Sequence, residues 1–280
     1  MRTNPYATFL LLLLLFASCS KEAYDPASGF TKFYGSYQAD AGTDIQVLPD
    51  DGYVMTGSIN PDSLPRMFLM ATDREGNQKE YSPKFYGEGY QTWGHSILML
   101  EDGYLLCGSL MDTLPDGQLH SDAFLVRTDT EGREIWSRRY GADGNDAALH
   151  AVKRKTGGFV VAGYLQNEGQ QDLWVFMIDT EGTILYELNG NDQVHDDQAL
   201  YLLPVGDGYL CGATYDDGAL DGTDFYVIYL DETCGQKSTR AFGTAYDDHA
   251  RCVFPFEGGY ALMGYTENTV SGNTQVSVYT

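Results

Sequence analysis

The sequence predicts an all-β fold, a five-bladed β-propeller of four-stranded antiparallel blades, on three observations. A segment opening on glycine and an aromatic residue recurs as DDGYVMTGS (50–58), EDGYLLCGS (101–109), TGGFVVAGY (156–164), GDGYLCGAT (206–214) and EGGYALMGY (257–265). Its aromatics, Tyr53, Tyr104, Phe159, Tyr209 and Tyr260, are spaced by 51, 55, 50 and 51 positions, the near-constant period of a repeat architecture. Each repeat holds four strand-like runs, and beyond the first eighteen residues no stretch shows the 3.6-residue apolar period of a helix. Four short strands in each repeat of about 40–55 residues are the signature of a propeller blade.

The third repeat shows the elements in order: strand a is ALHAVKR (148–154), b is GFVVAGY (158–164), c is LWVFMID (173–179) and d is ILYELNG (184–190). Strand c is apolar on both faces in most copies, as expected where neighbouring blades cover both sides. The c–d hairpin is clearest at 124–141. There Phe124, Leu125 and Val126 lead into Asp129-Thr130-Glu131-Gly132, with glycine placed for positive φ, and the returning strand carries Ile135 and Trp136 to Tyr140-Gly141. Weaker copies lie at 68–87, 174–190 and 225–243. The fifth repeat has strands a to c but no d, whereas Phe30-Thr31-Lys32-Phe33-Tyr34-Gly35 reads as a strand d without a blade. The two fragments complement each other. The N-terminal strand is expected to complete the last blade and hide its edge, the alternative being a ring shared by two chains. The blades then span about 43–87, 94–141, 146–190, 197–243 and 248–280 plus 30–35, one domain over 30–280.

The first eighteen residues stand apart. Arg2 precedes an unbroken apolar run, Phe9 to Phe16, and small residues Ala17 and Ser18 lead to Cys19. This reads as a secretory signal, too short to span a membrane. The ending resembles a bacterial lipobox, which implies lipidation at Cys19, a tether over 19–29 and anchoring at the cell envelope, with the outer membrane expected. The net charge of −23 excludes nucleic acid as a partner, since such sites need clustered Lys and Arg. Four further cysteines remain, and Cys107 and Cys211 each precede a glycine of strand b, which reads as a core position and not as one half of a disulfide.

The repeat pattern DGGY…G…DxxLxxxDxxGxxxWxxxYG resembles the repeat β-propellers of exported bacterial lipoproteins, over residues 30–280. Residues 129–136 also resemble the turn of quinoprotein-type repeats, but the longer blades and paired cysteines are missing, so no cofactor is carried over. Catalytic signatures such as GxSxG, HExxH or a phosphate-binding loop are absent. The residues therefore predict a monomeric, non-enzymatic binding or scaffolding module with a protein or glycan partner. Its alternative is a glycan-active hydrolase with paired carboxylates at the central channel, because five-bladed propellers include glycosidases. Asp146, Asp197 and Asp248 stand at matching positions before strand a, with Asp44 and His95 a few residues further along in the first two copies. Blade geometry gathers these five at one channel mouth. They could form a polar ring for a cation, sugar or peptide terminus; calcium is one candidate, although no DxDxDG loop occurs. Alternatively each Asp pins its own loop by accepting backbone N–H groups. His150, His195 and His249 also lie near strand a, at differing positions. The same face carries the long b–c loops and the aromatics Tyr90, Trp93, Tyr215 and Tyr246.

Overall fold

The computed structural model describes residues 29–36, 38–61, 64–114, 117–142, 144–167, 169–190, 196–216, 222–268 and 273–279. The signal segment, Cys19, most of the tether and His195 lie outside the described residues. The chain divides into two compact units, 1–33 and 34–280. Of the first, residues 29–33 are described and hold no strand or helix.

The second unit is an all-β propeller of five antiparallel blades. Blade one runs through β1 (Ala41–Val47), β2 (Tyr53–Ile59), β3 (Arg66–Thr72) and β4 (Lys84–Tyr86). Blade two holds β5 (Gln91–Leu100), β6 (Gly103–Thr113), β7 (Leu119–Thr128) and β8 (Glu134–Tyr140). Blade three holds β9 (Ala147–Lys153), β10 (Phe159–Asn167), β11 (Gln170–Ile178) and β12 (Ile184–Asn189). Blade four holds β13 (Gln198–Val205), β14 (Gly208–Asp216), β15 (Thr223–Asp231) and β16 (Gln236–Phe242). The last sheet is β17 (Asp247–Phe256), β18 (Gly259–Asn268) and β19 (Asn273–Tyr279). The predicted fold class is the observed one.

Packing between blades explains the apolar third strands. Leu125 of β7 and Phe176 of β11 are fully buried in one core cluster, and Val175 of β11 and Ile228 of β15 in the next. Alternate side chains of one strand thus feed two cores. The outer strands bury little, as all of β12 is exposed except one half-buried residue.

The Asp-x-x-Gly turns form as the sequence indicates. Asp129 Oδ1 accepts the N–H groups of Glu131 (2.8 Å) and Arg133 (2.9 Å), and Gly132 adopts φ 73°. Asp179 does the same for Glu181 and Thr183. In blade four Cys234 occupies the glycine position at φ 60°, a conformation that costs a non-glycine residue about 1–2 kcal/mol.

The Tyr-Gly that ends each fourth strand has a defined task. Tyr86 Oη donates to Gly132 O (2.8 Å) and Tyr140 Oη to Gly182 O (2.7 Å), each tying a blade to the turn of the next. Tyr34 makes the equivalent bond to Gly76 O (2.5 Å) and packs beside Ile59, Phe68 and Met70. Tyr34 therefore takes the place of a fourth strand's last tyrosine against blade one. The ladder expected of 30–35 is not formed: the last sheet has three strands among the described residues, and 29–36 hold none.

Candidate functional site

The site follows from one repeated irregularity. In all five blades the ladder between first and second strand carries a one-residue bulge, between Gly42 and Asp44, Gly94 and Ser96, Ala148 and His150, Ala199 and Tyr201, and Ala250 and Cys252. Beside the bulge in blades one, two, three and five the two strands approach too closely for a side chain at Gly57, Gly108, Gly163 and Gly264, whereas blade four has Ala213 there. A Cβ on Gly108 would lie 1.9 Å from Trp93 O, and one on Gly163 at 1.9 Å from Ala147 O. The repeated strand glycine is the sequence's accommodation of the bulge.

A bulge re-aims side chains, and here all five aim inward. One cavity of about 240 Å³ is lined by Thr43, Asp44 and Gln46 of β1, His95 and Ser96 of β5, Leu149 and His150 of β9, Leu200 and Tyr201 of β13, and Arg251 of β17. Since every first strand contributes, this cavity is the axial channel.

The channel groups are held from behind. Asp44 Oδ2 accepts Ile97 N–H of the next blade (2.9 Å), and Gln46 Nε2 donates to its Oδ1 (3.3 Å). Burial nevertheless pushes the Asp44 carboxyl above its ordinary range, outweighing those bonds. His150 Nδ1 accepts Leu202 N–H (3.2 Å), so its proton sits on Nε2, and its ring stacks on Tyr201 at 4.0 Å. His95 Nε2 lies 3.4 Å from Ser109 Oγ. Burial lowers both histidines to about 4, and both are neutral at pH 7. The channel thus combines one desolvated carboxylate, two neutral imidazoles, an aromatic platform and a guanidinium.

The five expected site residues separate into two groups. Asp44 and His95 line the channel. Asp146, Asp197 and Asp248 are buried at the starts of their blades and do not line it. Asp146 accepts Ala142 N–H (2.7 Å) and Gln166 N–H (2.8 Å), and Asp248 accepts Thr244 N–H (2.5 Å) and the Thr266 hydroxyl. The N–H of Asp197 donates to Gln171 O (2.6 Å), as that of Asp146 does to Ser121 O (2.6 Å). The true first-blade counterpart is Asp40, which accepts Ser36 N–H and Asn60 N–H (3.0 Å). Asp40 precedes Gly52 by 12 residues, as Asp146 precedes Gly158, so spacing alone could have found it. No comparable signal marks His150, Tyr201 and Arg251, because the bulge register that brings them together is a property of strand pairing. The loop-face aromatics lie elsewhere: Tyr90 stands under Arg139 at 5.5 Å, and Tyr215 stacks on Tyr226 at 4.8 Å.

Register also corrects the repeat alignment in blade four. Ala199 pairs with Ala213, as Ala148 pairs with Gly163, so Ala213 holds the strand-glycine position and Cys211 stands two residues before it. Cys107, Cys211 and Cys234 are buried free thiols pushed up to about 12 by burial. Among the described residues, no group of three or more His, Cys, Asp or Glu side chains is placed to hold a metal ion.

No protein-family model and no curated protein matches the chain. Solved structures similar to it include an exo-β-1,3-galactanase from Clostridium thermocellum (13% identity, TM-score 0.47). That match covers 85% of this chain, which spans only 57% of the galactanase. An endo-arabinase from Bacteroides thetaiotaomicron matches at 12% identity and TM-score 0.47, covering 88% of this chain and 95% of the enzyme. A thermostable family-43 glycoside hydrolase matches at 8% identity and TM-score 0.44, covering 89% and 92%. The expectation of a non-enzymatic binding or scaffolding module, and with it the leaning against an enzyme, is corrected to the extent that these neighbours are glycoside hydrolases, a likeness that shows the fold alone. At such identities and TM-scores they assign no chemistry to individual residues, which is read from the channel itself.

Proposed function

We propose that the chain is a glycan-active hydrolase working in the axial channel. The observation that carries this reading is the convergence of five bulges on one cavity holding Asp44, a carboxylate with a burial-raised pKa, beside two neutral imidazoles and the stacked His150–Tyr201 pair. A carboxyl whose pKa is raised by burial holds its proton more readily, can pass it to a departing glycosidic oxygen and can then take one from the attacking water. An aromatic face suits the apolar face of a sugar ring. The expected pair of carboxylates is not present, since Asp44 is the one carboxylate among the described residues lining the channel. The test is release of reducing ends from a panel of soluble glycans by the wild type and by Asp44→Asn. A general acid contributes about 10²–10⁴ in rate, and Asp44→Asn should lose that much. Turnover that survives Asp44→Asn, or a panel on which the wild type releases nothing, removes the reading.

The address is a proposal of the same standing. Arg2, the apolar run and the small residues before Cys19 support a lipidated N-terminus at the bacterial envelope, expected at the outer membrane, and repeats of this kind are familiar in exported lipoproteins. No helix among the described residues is long and apolar enough to cross a membrane. Cys19→Ala should move the protein from the membrane to the soluble fraction; retention in the membrane fraction would contradict the anchor.

A further inference from the structure

Resting on the reading of the channel as a glycan site, we infer that Arg251 selects substrates carrying an anionic group, a carboxylate or a sulfate, on the sugar bound there. Arg251 is the bulge residue of β17, between Ala250 and Cys252, and the bulge turns it into the channel. It is the one cationic side chain of Lys or Arg type among the described residues lining that cavity.

Its guanidinium is braced before any ligand arrives. The Arg251 Cζ stands 5.0 Å above the Tyr265 ring and Nη2 donates to Tyr265 Oη at 3.4 Å, while Tyr265 is itself stacked on His249 at 4.7 Å. A cation–π contact and a hydrogen bond to the same ring restrain the guanidinium and leave most of its N–H fork unused. The other channel charge does not use it, because Asp44 is occupied by Ile97 N–H and Gln46. Elsewhere some arginines are met by carboxylates, Arg127 by Asp102, Arg133 by Asp129, and Arg139 by Asp112 and Asp122, while Arg66, Arg138, Arg154 and Arg240 hold no ion pair among the described residues. Among the described residues no carboxylate forms an ion pair with Arg251. A planar, pre-oriented, unneutralised guanidinium matches the geometry of a carboxylate or sulfate.

The net charge of −23 opposes any anionic ligand at a distance. That repulsion is screened beyond about 8 Å at physiological salt, whereas a direct bidentate contact with the exposed Arg251 guanidinium adds hydrogen bonds as well as charge. The local contact therefore decides binding, and the global charge acts mainly on the rate of approach.

The test measures binding by calorimetry and turnover by reducing-end release for three probes: trigalacturonate, a sulfated galacto-oligosaccharide and neutral galactotriose. The proteins are the wild type, Arg251→Gln and Arg251→Lys, with thermal melts to confirm that each is folded. The wild type should bind at least one anionic probe about tenfold or more tightly than the neutral one. Arg251→Gln should abolish that preference, and Arg251→Lys should keep part of it. The contrast between trigalacturonate and the sulfated probe decides which anion is meant. A neutral probe bound as tightly as both anionic ones, or an anion preference that survives Arg251→Gln, overturns the inference. The two readings fail separately: turnover that depends on Asp44 without anion preference removes this one alone, whereas Arg251-dependent anion binding without turnover on any probe removes the hydrolase.

Discussion

Replacing Gly163 by Ala should damage the protein, and replacing Gly212 by Ala should not, although the sequence presents both as strand-b glycines of the same repeat. A Cβ on Gly163 would lie 1.9 Å from Ala147 O, 3.0 Å from Ala147 C and 3.2 Å from Ala148 Cα. All three are backbone atoms of β9 at the bulge, so no side-chain rotation relieves the clash. Overpacking of this sort typically costs about 1–3 kcal/mol. For a unit of this size each kcal/mol lowers the melting temperature by about 2–4 °C, which places the expected loss at about 2–12 °C. A Cβ on Gly212 meets Val253 Cβ and Cγ1 at 3.8 Å and Tyr201 O at 4.0 Å, all ordinary contacts. There the substitution mainly restricts the unfolded chain and should be neutral or stabilising by up to about 1 kcal/mol. Thermal melts followed by circular dichroism, with urea titrations at 25 °C, provide the measurement. Equal losses for the two variants, or a larger one for Gly212→Ala, would refute the bulge as the reason for the glycine. Because the Gly163 bulge also aims Leu149 and His150, Gly163→Ala should lower turnover per folded molecule as well.

Asp146→Ala should cost about 2–4 kcal/mol, since it leaves the N–H groups of Ala142 and Gln166 unpaired, while turnover per folded molecule stays near wild type; a large rate loss at unchanged stability would place Asp146 in the site instead. The histidines give a pH dependence of defined sign. His95 is held at about 4 when folded against an ordinary 6.5, so the unfolded chain takes up its proton first and stability is lost as pH falls from about 6.5 to 4. Asp44, raised in the folded state, acts in the opposite direction and partly offsets this. Urea unfolding at pH 7.5, 5.5 and 4.5 should show a smaller loss on acidification for His95→Gln than for the wild type, by on the order of 1–3 kcal/mol, and equal losses would disprove the assignment.

The sequence by itself determined the blade count, the order of strands and the turn chemistry. Those features rest on local rules: period-two apolar alternation, aspartates that accept nearby N–H groups, and a glycine such as Gly132 at positive φ. It also carried the spacing that makes Asp40, Asp146 and Asp248 equivalent, and it offered loop pinning as one explanation of them. Tertiary structure decided the rest. Whether Asp44 belongs with Asp146 depends on a bulge, and a bulge exists only once two strands have paired, because it records a mismatch between their lengths and not a preference of either. The same shift moved Ala213, and not Gly212, onto the strand-glycine position in blade four. The channel is less local still: Asp44, His95, His150, Tyr201 and Arg251 are separated by some fifty residues each, and only ring closure brings the five bulges to a common axis. Side chains that carry no common motif, each on its own blade, acquire a shared environment there, and the desolvation that raises Asp44 and keeps the histidines neutral arises from that gathering alone.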